Sequence, residues 1–467
     1  METLSKLICP VCNSPHSEVF FEMLEVPVYC NLLWGQQQAA RNCPKGDIKL
    51  AFCPSCGFIS NVAFDPAKLG YSQDYENSQH YSQRFLEYAQ SLAAQLIDRH
   101  HLYDKDIIEI GCGKGDFLIS LCELGNNRGV GFDPSYVPRV EHQQLEDKLQ
   151  FIQDFYSQDY QNYQADLIVC RHTLEHIPNP ADLLNPLREA IGDRLHTTVF
   201  FEVPNALDTF RHLAVWDIIY EHCCYFAPTS LSQAFSNAGF QVCDLSEAFE
   251  GQFLCLEAQP TTQASPNGGV DGVEPLRRDI SAFTAKFQAK VETWMHKLAE
   301  ITQAGQKAVV WGAGSKGVTF LNLLKLQDSI EYVVDLNPRK QGKYLAGMGQ
   351  QIVAPEFLQD YQPDVVIVMN SIYENEIRQL TKESRKHGTK SRYFPRSQNR
   401  SASFFGDSPS LLRTNYITGL PKGRGLRPMI FGSTFAPFAT DSSRRGSNSA
   451  PVSSSSWFVQ PIWRKNP

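Results

Sequence analysis

IIEIGCGKGDFLISLCELGNNRGVGFD, residues 107–133, decides how this chain is read. An apolar run, Ile107 to Ile110, breaks at Gly111, Gly113 and Gly115. A helix-like segment follows, then a second apolar run that ends at Asp133. Glycines let a backbone approach a ligand without a Cβ in the way, and an acid about 20 residues further on can accept hydrogen bonds from a ribose diol. The stretch therefore predicts strand, glycine turn, helix and strand, with an acid at the tip of the second strand.

The turn is GxGxG rather than GxGxxG, and an acid, Glu109, stands near the end of the first strand. In these residues the sequence resembles the class I S-adenosylmethionine (SAM)-dependent methyltransferases. Their first motif corresponds to EIGCGKG here and their ribose acid to Asp133. Any other nucleotide-binding βαβ unit is the alternative. Next, LQFIQDFYSQDY puts Asp154 and Phe155 at the end of another apolar run. The resemblance implies that this acid accepts from the adenine amine and that the aromatic lies against the ring. Asp166 to Cys170 read as a fourth strand, with Arg171, His172 and His176 in the turn behind it. Ligands of open α/β sheets bind beyond the carboxyl ends of strands, so all three are expected near the cofactor. His172 and His176 are four apart, a spacing that also suits two metal ligands on one helical face; a SAM-pocket or helix-capping role is the reading adopted.

Thr197–Asn205 reads as a fifth strand, with Glu202 and Asn205 near its end. A helix follows with Thr229 as candidate N-cap and Gly239 at its end. A hairpin around Gly251 then completes a seven-stranded sheet. Between strand and helix stand Tyr220, Glu221 and His222. An imidazole beside a carboxylate and a phenol is equipped for general-base work near neutral pH, the acid orienting the ring or raising its basicity. Upstream, DPAKLGYSQDYENSQHY (65–81) is rich in tyrosines and amides and precedes a helix near 82–100. Tyr75 and Tyr81 are placed to reach a substrate, or else to pack a domain boundary.

The ends of the chain carry different signals. CPVC (Cys9, Cys12) and CPSC (Cys53, Cys56) are two knuckles that together suit one tetrahedral Zn²⁺, read as structural, with Cys30, Cys43 and His16 as possible substitutes. Thirteen cysteines, an odd number scattered through apparent strands and helices, fit reduced thiols plus a metal site better than a disulfide framework. After a Gly/Pro-rich linker (259–275), a helix with apolar positions from Ile280 to Ile301 leads to AVVWGAGSKGVTFLNLL. There Gly312, Gly314 and Gly317 precede Asp335 at the distance expected of a dinucleotide site. Taken alone, that unit suggests NAD. Its alternative is a Rossmann-like domain whose glycines serve tight packing or anion binding. Asn370 and Tyr373 fall just beyond its next strand.

At 467 residues the chain is expected to hold two to four domains. A formal net charge of -7 argues against general nucleic-acid binding. No apolar run approaches the roughly 18 residues of a membrane span, and the opening METLSKLICP is not a secretory signal, so a cytoplasmic protein is expected.

Together, CPVC/CPSC, EIGCGKG, CRHTLEH, YEHCCYF and WGAGSKG resemble one family over about residues 9–392: sugar C-methyltransferases of the deoxysugar-biosynthesis type, including those acting at C-3 of nucleotide-linked keto-sugars. The resemblance implies an α/β chain of three parts. These are a zinc module (1–70), a class I methyltransferase domain with a Rossmann-like seven-stranded sheet (71–258) and, after the linker, a second Rossmann-like domain (276–392). The last would hold the nucleotide-sugar, with Gly312, Gly314, Lys316, Asn370 and Tyr373 as substrate contacts, and would not be a dehydrogenase. The expected reaction is C-methylation beside a ketone, with His222 as base supported by Glu221, and Tyr75, Tyr81 or Tyr220 bonding the enolate oxygen. A monomer or weak homo-oligomer is expected. The alternatives are an O- or N-methyltransferase of another small molecule and an NAD(P)-binding oxidoreductase or regulatory protein. From about Ser391 acids nearly vanish and periodicity is lost. Residues 393–467 read as a basic disordered tail, or as a frame-shifted interruption that removes the last strand of the final domain; the second is favoured.

Overall fold

The computed structural model describes residues 7–70, 73–139, 147–262, 272–327 and 329–386, with backbone strands at Ser391–Arg392, Ser410–Arg413 and Asn415–Tyr416. By contacts the chain divides into Met1–Thr418 and Gly419–Pro467. The second unit lies outside the described residues.

The first part comprises β1 (Glu18–Pro27), α1 (Gln37–Arg41), β2 (Lys45–Phe52) and β3 (Ile59–Asn61). The central part comprises α2 (Gln83–His100), β4 (Asp106–Ile110), α3 (Asp116–Gly125), β5 (Arg128–Phe132), β6 (Leu149–Ile152), β7 (Leu167–Arg171), α4 (Ala181–Ile191), β8 (Thr198–Pro204), α5 (Ala206–Arg211), β9 (Cys224–Tyr225), α6 (Pro228–Asn237), β10 (Phe240–Ala248) and β11 (Phe253–Pro260). The last part comprises α7 (Val273–Gln303), β12 (Ala308–Trp311), α8 (Ser315–Leu323), β13 (Tyr332–Val334), β14 (Gln351–Val353), α9 (Leu358–Tyr361), β15 (Val365–Val368), α10 (Glu374–Lys386), β16 (Ser391–Arg392), β17 (Ser410–Arg413) and β18 (Asn415–Tyr416).

The central sheet has the order β10-β11-β8-β7-β4-β5-β6. All neighbours pair in parallel except β11, which runs against both β8 and β10. This is the class I methyltransferase sheet. Strands buried on both faces read as continuous apolar runs, as Leu167–Cys170 does. Chain order reverses on either side of β4, so the glycine turn that leaves β4 opens at a topological switch point. The second sheet, β14-β13-β12-β15-β17, repeats the arrangement around β12. Its fifth strand departs from expectation. Ser410–Arg413 pairs antiparallel with Val365–Val368, so the edge of this sheet comes from residues that composition assigned to the tail. The rest of residues 393–467, apart from Asn415–Tyr416, lies outside the described residues.

Two boundaries also differ in detail. Ala227, not Thr229, is the N-cap of α6: Pro228 with its fixed φ starts the helix, and the Ser230 hydroxyl accepts from the Ala227 N–H at 3.0 Å. Strand β11 continues to Pro260, inside the segment read as linker.

The first part is not a free appendage. Strand β9 pairs with β3, registering Ile59 with Tyr225 and Ser60 with Cys224, which makes a four-stranded sheet β1-β2-β3-β9. A single apolar core then runs from Phe21, Ile48 and Leu50 of that sheet, through Phe210, Trp216 and Tyr220, to Phe283 and Trp294 of α7 and Phe320 of α8. Trp216 is fully buried edge-on to Phe320, at 4.9 Å between ring centroids. The loop from α5 to β9 is thus clamped between the outer parts, and it carries residues 220–222.

Candidate functional site

Both glycine turns open onto one cavity of about 390 Å³. Gly111 and Gly113 line it from the central sheet, and Gly312 and Gly314 from the second. Tyr75, Tyr81, Glu109, Arg171, His172, His176, His222, Lys316, Asn370 and Tyr373 line it as well. Gly115, Asp133, Asp154, Phe155, Tyr220 and Glu221 are not among its lining residues.

Gly111 has φ +71, and a Cβ there would lie 2.0 Å from Thr173 Oγ1. Alanine must therefore adopt a left-handed backbone, at about 1–2 kcal/mol, and displace Thr173. Gly111→Ala is expected to weaken S-adenosylhomocysteine binding about tenfold or more, as titration calorimetry would show. Gly115 (φ +85) caps α3 with Phe151 packed against it. Asp133 accepts from the Gly113 N–H at 2.8 Å through one oxygen and from the Ser135 N–H at 2.7 Å through the other. Asp335 does the same for the second turn, accepting from the Ala313 and Asn337 N–H groups, each at 2.9 Å. In both units the acid at the strand tip holds its glycine turn. Gly317 serves packing: a Cβ there would lie 2.1 Å from the Gly312 carbonyl oxygen.

Glu109 is buried on the cavity wall, and its Oε2 has no hydrogen-bond partner. Burial pushes its carboxyl up to about 8, against the pull of Arg171. The folded chain therefore keeps this proton up to about pH 8, whereas an unfolded carboxyl loses it near 4.3. The native state binds more protons across that window, so stability falls as pH rises through it. Glu109→Gln removes the fall. Relative to the variant, the wild type should lose on the order of 3 kcal/mol between about pH 5.5 and pH 8.5 in denaturant titrations.

Arg171 reaches across to Glu202 at 2.8 Å and stacks over the Phe117 ring at 4.1 Å from its centroid. His172 Nε2 lies 2.7 Å from the same carboxylate, and the Tyr88 hydroxyl donates to it. Burial alone would raise Glu202, but Arg171, His172 and Tyr88 outweigh it and hold the carboxyl down to about 2. His172 and His176 do not share a helical face. His172 takes a left-handed φ of +51, and Leu174–His176 form one 3-10 turn that sends His176 towards His222 instead.

Residues 220–222 point three ways. Tyr220 is fully buried and faces the first part: its hydroxyl accepts from the Asp65 N–H at 2.8 Å, and its ring packs on Phe64. It fastens the 65 loop and does not face the cavity. Glu221 does not bond to His222. Its carboxylate accepts from the Cys30 N–H at 2.9 Å and from the Tyr75 hydroxyl, and burial raises it to about 7. His222 alone enters the cavity, its ring 5.0 Å from that of His176. Burial holds its pKa well below the usual histidine range, with His176 and His172 adding to the effect. The imidazole is a neutral acceptor at pH 7.

Asp154 accepts from the Tyr160 hydroxyl at 2.7 Å, and Phe155 is 57% exposed. Strand β6 ends at Ile152, so both residues turn outward. On the far wall, Lys316 pairs with Asp217 at 2.5 Å. Asn370 exchanges side-chain hydrogen bonds with Gln252 at 3.0 and 3.2 Å, and the Tyr373 hydroxyl donates to Gln79 at 3.2 Å. Each of these contacts ties the last part to the central one.

Several lining residues escaped the sequence reading: Lys114, Glu175, Asp217, Asn337 and Lys340. Lys114, inside the glycine motif, was the one with a signal. The Cys9, Cys12, Cys53 and Cys56 sulfurs lie within 4.8 Å of one another. The Cys9–Cys56 and Cys12–Cys53 separations are 3.7 and 3.5 Å, against about 3.8 Å for the edge of a Zn–S tetrahedron.

Residues 80–245 match the family described as a methyltransferase domain, and residues 274–394 the family described as a C-methyltransferase C-terminal domain. Among curated proteins, a ubiquinone biosynthesis O-methyltransferase of Yersinia enterocolitica is 27% identical over 109 residues, which cover 22% of this chain and 44% of that protein. A counterpart from Yersinia pestis is 26% identical over the same length. The chain thus spans less than half the length of these relatives. Among solved structures, it is similar to 1,6-didemethyltoxoflavin-N1-methyltransferase of Burkholderia thailandensis, solved with S-adenosylhomocysteine bound (TM-score 0.30, 15% identity, 38% of this chain and 81% of that one). It is also similar to magnesium protoporphyrin IX methyltransferase of Synechocystis (TM-score 0.30, 14% identity, 38% and 84%).

Proposed function

We propose that this methyltransferase transfers the methyl group of SAM to a carbon beside the ketone of a nucleotide-activated sugar. The observation that carries the reading is the shared cavity: two glycine turns from two Rossmann-like units line it together with the neutral, half-buried imidazole of His222. One turn suits the methyl donor and the other the anionic handle of an acceptor, which Lys316 and Lys340 would approach. SAM, when bound, supplies an electrophilic sulfonium methyl. Gly111, Gly113 and the unpartnered Oε2 of Glu109 would hold it, with Asp133 on the ribose once the Gly113 contact is exchanged.

Carbon becomes nucleophilic only after losing a proton next to a carbonyl. His222 takes that proton on its free nitrogen; no shift in its titration is needed first, because the base form prevails at pH 7. Tyr75 then hydrogen-bonds the enolate oxygen. Its hydroxyl donates to Glu221 when that carboxyl is ionised; with Glu221 raised to about 7, about half of the resting enzyme at pH 7 already holds a solvent-derived proton there, which donates to the Tyr75 oxygen and leaves the phenolic O–H for the enolate. Tyr81, also in the cavity lining, is a second candidate donor. The four N-terminal cysteines hold a structural Zn²⁺. In calorimetric titrations, S-adenosylhomocysteine and a nucleoside-diphosphate sugar should bind, and NAD(P)H should not. Binding of NAD(P)H alone would replace this reading with that of an oxidoreductase.

A further inference from the structure

We propose that the cavity floor is a second, exchangeable metal site. Glu175, His176 and His222 bind one divalent ion of the Zn²⁺ or Co²⁺ class, and the ion inhibits by occupying the imidazole nitrogen that otherwise takes the substrate's proton. The inhibition rests on the base role given to His222 above; the binding site does not.

One ligand atom from each of the three residues lies within 4.8 Å of the others, a spacing that small side-chain adjustments close to coordination distance. Glu175 is buried to 1% exposure, with one oxygen 3.9 Å from His172 and the other, Oε2, without a hydrogen-bond partner. A buried carboxyl oxygen left in this way is costly unless something meets it. The ring of His176 donates one N–H to the Glu221 backbone carbonyl, so its other nitrogen carries a lone pair. That second-layer bond is the device that orients metal-ligating histidines and fixes their tautomer. All three residues line the cavity, so an ion has a way in and its remaining position faces the space a substrate would use. Two imidazoles and one carboxylate are too nitrogen-rich for Mg²⁺ or Ca²⁺ and suit borderline transition ions.

The test uses the full chain with its cysteine site already filled with Zn²⁺, titrated with Co²⁺. One further equivalent should bind with visible d–d absorption and without a near-ultraviolet thiolate-to-cobalt band. Occupancy should suppress exchange of the ketone's α-proton in proportion. Glu175→Gln and His176→Gln should each weaken Co²⁺ binding by about 10–100-fold, with S-adenosylhomocysteine binding measured in parallel to confirm a folded domain. A thiolate band would move the ion to cysteines and overturn the donor set, as would unchanged affinity in both variants. No binding beyond the cysteine site would overturn the proposal while leaving His222 as base. Binding without suppression of exchange would leave the metal site standing and remove the inhibition together with the base role.

Discussion

His222→Ala, and equally His222→Asn, should bind S-adenosylhomocysteine as the wild type does and yet turn over at least 10²–10⁴-fold more slowly. The imidazole is the one member of the 220–222 trio that enters the cavity, so removing it deletes the proposed base and leaves the glycine turn, Asp133 and Glu109 intact. Tyr220→Phe should behave differently. It loses the hydrogen bond from the Asp65 N–H, which is a stability contact outside the cavity, and should lower the melting temperature more than the turnover rate. A His222 variant of full activity would end the base assignment. The pH dependence carries a further sign. Because burial depresses its pKa, His222 becomes competent below the usual histidine range, so the acid limb of the rate profile should lie below about pH 6.5.

Removing the proposed Zn²⁺ from the cysteine site should be the other large effect, although no cysteine of that cluster lines the cavity. Structural zinc contributes roughly 10–16 kcal/mol to modules that cannot fold without it. Here Cys9, Cys53 and Cys56 belong to the same core as Phe58, Phe226 and the inner face of the central sheet. Three further ties reach directly behind the base. Strand β3 registers Ile59 with Tyr225 and Ser60 with Cys224, and the Asn61 N–H donates to the Cys223 carbonyl at 2.9 Å. Cys223 follows His222 in sequence, so a melted knuckle releases the segment that aims the imidazole. A displacement of about 1 Å at a reacting group costs on the order of 10²-fold in rate. Cys53→Ser, or prolonged chelation, should therefore lower turnover by about 10²-fold or more and add an early unfolding transition in calorimetry. Unchanged turnover in metal-free protein would mean that the first part is dispensable to the site.

Much of this was legible in the sequence, for a physical reason in each case. The period of apolar residues and the glycine turn at Gly111 specify the central sheet locally, and Gly312 with Asp335 does the same for the second. Direction within an irregular loop was not legible. Tyr220, Glu221 and His222 are neighbours in the chain, but no helical or strand period fixes where each points. The packing of Tyr220 on Phe64 and the pairing of Glu221 with Tyr75 and the Cys30 N–H decide it, and those partners lie far away in sequence. Glu175 carries no signal of its own in the turn behind the fourth strand, and its significance appears only when His222, 47 positions on, folds back to it. Composition also misjudged Ser410–Arg413. A short edge strand needs only backbone pairing along Val365–Val368, and its surroundings carry no period to announce it.

In the proposed reaction the acceptor carbon is deprotonated before it is methylated. Proton NMR of a nucleoside-diphosphate 4-keto sugar in deuterated solvent, with this protein and without SAM, tests it most directly. The expected result is loss of the signal of one hydrogen α to the ketone, catalysed by the wild type and absent with His222→Asn. Methylation of an oxygen or nitrogen needs no such step. Turnover with SAM and an unexchanged α-hydrogen would rule out a deprotonated carbon nucleophile.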